Sequence, residues 1–319
     1  MKMTMKMTAA DLLPLIKKSV TSWSEDYAPS MGAALAYYTV FSIAPLLLIV
    51  IAIAGLIYGE DAARGAIFTQ LSGLVGNDGA TAIQGLLKSV NKPSESIIAT
   101  IVGIGTLLIG ATTVFGELQD ALNRIWRAPA LVDKGGVWKL LRRRLLAFGM
   151  ILTIGFLLIV SLLLSAALAA VGNWIGPSFA GWEALLHVVN FVISFGVTTV
   201  LFAMIYKIMP RVNIAWRDVW LGAAVTSLLF SIGKFLIGLY IGKSSVASGF
   251  GAAGSLAVLL VWIYYSTQMF LMGAEFTWVY ANLYGSRKGK DKLAEEPPAV
   301  PARGAEDGGH DTISTSAAH

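Results

Sequence analysis

Six stretches of this chain are long and apolar enough to cross the hydrocarbon of a bilayer, and they limit what it can fold into more than any other feature. A membrane helix needs about 20 mostly apolar residues, and such runs occupy 31–58, 96–117, 145–171, 184–209, 216–241 and 252–281. The third, LLAFGMILTIGFLLIVSLLLSAALAAV, is uninterrupted. The fifth contains Lys234, whose long side chain can reach an interface. Only 13% of residues are charged, against about 25% in a soluble domain. Backbone polar groups in lipid must bond within their own segment, so apolar runs of this length become helices. The expected fold class is all-α: a polytopic membrane helix bundle with six transmembrane helices. Lys2 and Lys6 are followed by no apolar core, so the first membrane helix, not a cleavable signal peptide, is expected to target the chain.

Lys and Arg concentrate on the cytoplasmic side of membrane proteins. If the six runs alternate, nineteen of the 24 basic residues fall on one side. They lie in the first 30 residues, in the loop from Arg124 to Arg144, in the short loop at 207–217 and in the tail after Ser286. Only Arg64, Lys88, Lys92 and Lys243 fall on the other, and Lys234 lies within a run. Both termini are therefore expected to be cytoplasmic. Membrane lipids are the expected partners, with anionic inner-leaflet lipid at the basic loops.

Outside the runs, Thr8 to Asp11 resembles a helix start with Thr8 as cap. Leu12, Ile16, Val20 and Trp23 then share a face that Lys17 and Lys18 avoid. Residues 1–30 thus read as a cytoplasmic segment containing an amphipathic helix. It either lies in the inner leaflet or packs as a cytosolic helix on the bundle. Residues 59–95 show two short helical patterns, Ile67-Leu71-Leu74 and Ile83-Leu86-Val90, parted by Asn77-Asp78-Gly79. They are expected to form two amphipathic helices capping a membrane domain that runs over 31–285. From 286 to 319 the chain is rich in Pro, Gly and charge, and reads as a disordered tail.

Polar groups inside a span are costly, so each is a candidate site, although Ser, Thr and Gly often serve only helix contact. The first run carries Tyr37, Tyr38, Ser42 and Pro45; Tyr38, Ser42 and Pro45 share a face, and Pro45 should kink the helix. The second closes with Glu117, Asp120, Asn123 and Arg124, where Asp120 and Arg124 are spaced for a helical ion pair. The sixth carries Tyr264, Tyr265, Gln268 and Glu275. At 1.5 Å per residue Lys234 lies roughly 24 Å from the inner edge and Glu275 roughly 9 Å. Two polar layers are expected, Lys234 level with Tyr264 and Tyr265, and Glu275 nearer Glu117 and Arg124. Gly238 and Gly242 form a small-xxx-small pair, and Gly249, Gly251 and Gly254 crowd the entry to the last run.

Ala34 to Pro45 (ALAYYTVFSIAP), Asp120 to Trp126 (DALNRIW), the segment 216–242 followed by Gly251-Ala252-Ala253-Gly254-Ser255, and Leu271 to Phe276 (LMGAEF) together resemble the YihY/BrkB family of bacterial inner-membrane proteins. The resemblance covers roughly residues 10–285 and rests on four motifs in order. It implies a six-span protein of the bacterial cytoplasmic membrane. The family has been named as a virulence or serum-resistance factor and labelled ribonuclease BN, and movement of envelope lipids or other amphiphiles has been proposed for relatives. Phe250 stands where the family pattern has tyrosine, so any contact made by that hydroxyl would be missing here.

A nuclease would need a cluster of His and carboxylate ligands around a metal. Of the three histidines, His310 and His319 lie in the tail, and His187 has only Glu183 near it in sequence. There is no cysteine. The residues thus point away from an enzyme, from a metal or other cofactor, and from nucleic acid as partner. Two readings remain: a transporter or flippase of an envelope lipid or other amphiphilic or small polar molecule, and a non-transporting scaffold or envelope-assembly factor. No P-loop is present, so drive would come from a gradient or a partner. A homo-oligomer is compatible with either.

Overall fold

The computed structural model describes residues 11–90, 113–129, 149, 182–243 and 253–288. Every regular element among them is helical: α1 (Leu12–Glu25), α2 (Ala28–Tyr58), α3 (Glu60–Val90), α4 (113–125), α5 (Trp182–Ile208), α6 (Trp216–Lys243) and α7 (Gly254–Leu283). Four of these are long and apolar enough to cross a membrane, over Ala28–Leu56, Val188–Ile208, Trp216–Tyr240 and Gly254–Leu283. They coincide with the first, fourth, fifth and sixth apolar runs. The expected span 145–171, most of 96–117, Thr8, Gly249, Gly251 and the tail beyond 288 lie outside the described residues.

Helix α7 is the hub, touching α1, α2, α3 and α6, while α5 packs on α6. The α6–α7 pair is antiparallel. Gly222 meets Thr277, Thr226 meets Gly273, and Gly233 meets Tyr265 and Met269. Close approach of backbones at small residues is how membrane helices gain packing energy. Gly238, by contrast, meets nothing within contact distance. Tyr206 of α5 completes the three-helix core. Its hydroxyl lies 3.0 Å from Thr226 Oγ1 and donates to the Phe270 carbonyl at 2.7 Å. Among the described residues, α5 and α6 leave Phe191, Val192, Leu228, Ile232, Phe235 and Leu239 exposed.

Helix α2 runs unbroken through Pro45. Helix α3 is two half-helices meeting at Gly76, whose φ of 77° only glycine adopts freely. The break falls one residue before the expected Asn77-Asp78-Gly79. The segment is no mere cap, because Ala80, Ala82 and Ile83 join a core cluster with Ala36, Val40 and Leu47 of α2 and Leu259 and Ile263 of α7. Helix α1 starts at Leu12 with Asp11 at the cap position. It buries Leu15, Ser19 and Ser22 and leaves Leu12, Leu13, Ile16 and Val20 exposed. Its small-residue face thus docks on the bundle, the packed placement of the two expected, while its apolar face stays exposed. At the same end, Asp218 in the first turn of α6 accepts hydrogen bonds from the Ser286 backbone N–H at 2.9 Å and the Ser286 hydroxyl at 2.7 Å, pinning the end of α7.

Candidate functional site

Two residues with left-handed backbones, Tyr27 (φ 57°) and Arg127 (φ 48°), are the non-glycine exceptions among the described residues. Bulky side chains rarely adopt this conformation, so it signals a position fixed by its surroundings. Tyr27 makes the elbow between α1 and α2, and Pro29 sits in the first turn of α2 with its φ already helical. Arg127 closes α4 in a Schellman turn, in which Ala128 N–H bonds the Asn123 carbonyl at 2.8 Å and Arg127 N–H bonds the Arg124 carbonyl at 3.0 Å. The two turns bring Asp26 and Arg127 together, with Nη2 3.7 Å from Oδ1. The Arg127 guanidinium also lies over the Trp278 ring at 4.9 Å, and the Arg124 guanidinium over Tyr27 at 5.4 Å.

Glu275 enters this corner from α7. It is 0% exposed and Asp26 is 1% exposed. The two carboxyls interact electrostatically, and Arg127 acts on both. Neither Glu275 oxygen, nor Asp26 Oδ2, nor Arg127 Nε has a partner within ordinary hydrogen-bond distance, so the Asp26–Glu275 contact is a loose one. Burial pushes the Asp26 carboxyl above its usual range, and Arg127 pulls it partly back. A buried charge without full compensation costs several kcal/mol. The corner can therefore hold a proton or a small polar group, and it resists holding two carboxylates with one guanidinium.

Gln268 lies seven residues before Glu275, so both fall on the α7 face turned to α2, about 10 Å apart along the axis. Gln268 Nε2 approaches the Ala28 and Pro29 carbonyls at 3.4 and 3.5 Å. It gets there because residue 32 is glycine: a β-carbon would collide with the Gln268 amide. Gln268 Oε1 is buried without a partner. The α2–α7 seam thus carries two tiers of under-satisfied polar groups. Such groups are few in native proteins and mark places where water, ions or ligands act.

The other candidates distribute differently. Ser42 is buried on α2, Tyr38 is half-buried, and Tyr37 is exposed and in ring contact with Tyr38 and Phe41. Tyr265 packs on Gly233, which places Lys234 at the expected level beside Tyr264 and Tyr265. Lys234 is nevertheless exposed, and it does not join the seam. The expected Asp120–Arg124 ion pair does not form, because Arg124 turns over Tyr27 and Asp120 is exposed. Asn123 is structural: its Oδ1 accepts the Arg211 N–H at 2.8 Å, while Gln119 donates to the Met209 carbonyl at 3.0 Å, so α4 clamps the α5–α6 link. Glu117 is half-buried one turn deeper. Among the described residues no group of three His, Asp or Glu could hold a metal.

Asp26 and Arg127 escaped the sequence reading. Each sits at an element boundary among other charges, and nothing in its neighbours foretells that the two turns converge. The one local signal is Asp26 ahead of Tyr27-Ala28-Pro29, an acid stranded between two apolar helices.

The family profile described as Virulence factor BrkB matches residues 19–297. A UPF0761 membrane protein of Pseudomonas paraeruginosa is 27% identical over 278 residues, covering 85% of this chain and 63% of that protein. A UPF0761 membrane protein of Pseudomonas aeruginosa is 28% identical over 268 residues, covering 82% and 61%. One from Pseudoalteromonas translucida is 28% identical over 248 residues, covering 76% and 78%. The chain thus spans about three-fifths of the length of the two Pseudomonas relatives. No solved structure matches.

Proposed function

This chain belongs to the Virulence factor BrkB family, and on that premise we propose that it moves an amphiphilic or small polar molecule through the bacterial inner membrane. In this reading six helices span the bilayer and both termini are cytoplasmic. The observation that carries it is the α2–α7 seam, where Gln268, Asp26 and Glu275 keep buried oxygens without partners. In lipid such groups are costly. A packed scaffold has no use for them, whereas a pathway supplies their partners intermittently as water or a polar head group. Arg127 would meet the anionic part of such a group, and the open apolar faces of α5 and α6 would leave its tails in lipid. No catalytic step is part of this reading.

The test is flux in liposomes. Protein reconstituted with head-group-labelled lipids or entrapped small solutes should exceed empty liposomes in one of the two assays, and Gln268→Leu should reduce that excess. Wild type matching empty liposomes in both assays would sink the reading.

A second reading, a non-transporting scaffold, is favoured by one observation: Gly222, Thr226, Gly273, Thr277 and Tyr206 serve helix contact alone. It requires that Gln268 and Glu275 variants change stability or partner capture and leave every flux untouched.

A further inference from the structure

We propose that Asp26 and Glu275 together bind a single proton, and that this proton holds the α1–α2 elbow against α7. The inference uses two of the residues on which the transport reading rests, but it concerns how the fold closes, and its test reads docking rather than flux.

Asp26 and Arg127 already pair charge for charge between the elbow and the end of α4, with Nη2 3.7 Å from Oδ1. Glu275 is an independent addition from a third element. It is fully buried, aimed into that pair, and has no partner of its own for either oxygen. The charges decide the stoichiometry. With both carboxyls ionised, two buried negative charges face one guanidinium, and an uncompensated charge there costs several kcal/mol. With one proton on the pair the corner is neutral, and one carboxyl can donate to the other. The proton belongs to the pair rather than to either residue, as in any coupled site.

The remaining charged groups do not change this balance. Glu25 from α1 adds to the repulsion at both carboxyls, and the Arg124 guanidinium at the end of α4 attracts Asp26, so one extra acid and one extra base offset each other. Asp218, the acid that α6 brings to this end of α7, is taken up by Ser286. Burial raises the Asp26 carboxyl above its usual range, and Arg127 pulls it partly back.

The elbow is the element that can respond. Tyr27 is held in a left-handed conformation that costs a non-glycine residue free energy and persists only while its surroundings impose it. Losing the proton leaves α7 and the elbow repelling each other. The relief is for Asp26 to leave Glu275, swinging the docked face of α1, Leu15, Ser19 and Ser22, off α7.

The chain has no cysteine, so spin labels can be placed cleanly at Lys18→Cys on α1 and Arg217→Cys on α6, both exposed positions. In full-length protein in lipid nanodiscs, the label distance should be single at low pH. A longer population should grow in as pH rises, with the steepness of one proton. Glu275→Gln and, as a second variant, Asp26→Asn should lose the pH dependence and stay docked. The infrared band of a protonated carboxyl should disappear from wild type over the same pH range. The proposal is overturned if wild type shows no pH dependence or if both variants keep it. It is equally overturned if the steepness exceeds one proton, or if sodium or potassium at fixed pH drives the transition, which would make the site a cation site.

Discussion

Gly222 of α6 lies so close to Thr277 of α7 that a β-carbon at 222 would fall within the threonine side chain, and Gly273 of α7 stands in the same relation to Thr226 of α6. Each threonine donates its hydroxyl to the glycine carbonyl four residues earlier on its own helix, Thr226 to Gly222 at 2.7 Å and Thr277 to Gly273 at 2.6 Å. The two Gly-xxx-Thr units therefore interlock head to tail, and each threonine fills the space its partner glycine leaves. The hydroxyls are satisfied locally, so the contact can be tight without stranding a polar group.

Gly222→Ala and Gly273→Ala should each destabilise the purified protein by about 1–3 kcal/mol, the usual cost of overpacking a fitted contact. Thr277→Ala should partly rescue Gly222→Ala, because it vacates the space the new methyl needs. Thermal unfolding in detergent, arranged as a double-mutant cycle, reads both effects. Additive losses would show that the two residues do not share the contact.

Arg127 combines a strained backbone with a buried-side ion pair, and the two can be separated. Arg127→Ala removes the guanidinium from Asp26 and keeps an L residue at φ 48°. It should cost about 3 kcal/mol, as when one partner of a buried pair is removed. Arg127→Gly loses the same charge but relieves the left-handed strain, worth roughly 1 kcal/mol, so it should melt higher than the alanine variant. Adding Asp26→Asn to Arg127→Ala should recover part of the loss. Equal melting of the alanine and glycine variants would show that the Schellman turn carries no strain.

Burial raises the Asp26 carboxyl above its ordinary value, and the sign of the consequence follows. The native corner that contains Asp26 holds a proton more tightly than the unfolded chain does, so the contribution to stability is full below about pH 4, the unfolded value. It is lost as pH rises through the folded value. Wild type should therefore lose stability on going up from about pH 4, and Asp26→Asn should flatten that slope. Thermal midpoints measured at intervals from pH 4 to pH 8 check this; an unchanged slope in Asp26→Asn assigns the dependence to other groups.

Much of this architecture is written in the sequence because a bilayer imposes one rule on every span. The runs at 31–58, 184–209, 216–241 and 252–281 needed only length and hydropathy, and their helices begin and end within three residues of those bounds. Depth was legible too: counting residues placed Lys234 beside Tyr265, and Gly233 does meet Tyr265. Direction around the helix was not. Hydropathy cannot say which way a residue on a span turns: among the described residues Lys234 is exposed and Gly238 has no close neighbour. The Asp26–Arg127–Glu275 corner was hidden for another reason. It is made by three elements distant in sequence, two of them turning through left-handed residues that no local pattern announces.

Asp218 accepts both the backbone N–H and the hydroxyl of Ser286, and a carboxylate bonded twice fixes the chain more firmly than a neutral group can. The same turn is closed by Gly285 N–H to the Tyr280 carbonyl at 2.8 Å and Arg287 N–H to the Ala281 carbonyl at 3.0 Å. The Arg287 guanidinium lies 5.9 Å from the Trp126 ring, so the turn also spans the end of α4. Asp218→Ala removes the acceptor and leaves the helices on either side intact, so its effect should stay local. Residues 284–288 should fray, and trypsin should cut after Arg287 and Lys288 several-fold faster than in wild type, with little change in the melting of the bundle. Asp218→Asn keeps one acceptor oxygen and should fall between the two. Mass spectrometry of the early tryptic fragments measures the rates. If Asp218→Ala is cut there no faster than wild type, the contacts to Trp126 and the carbonyls of α7 hold the turn without Asp218.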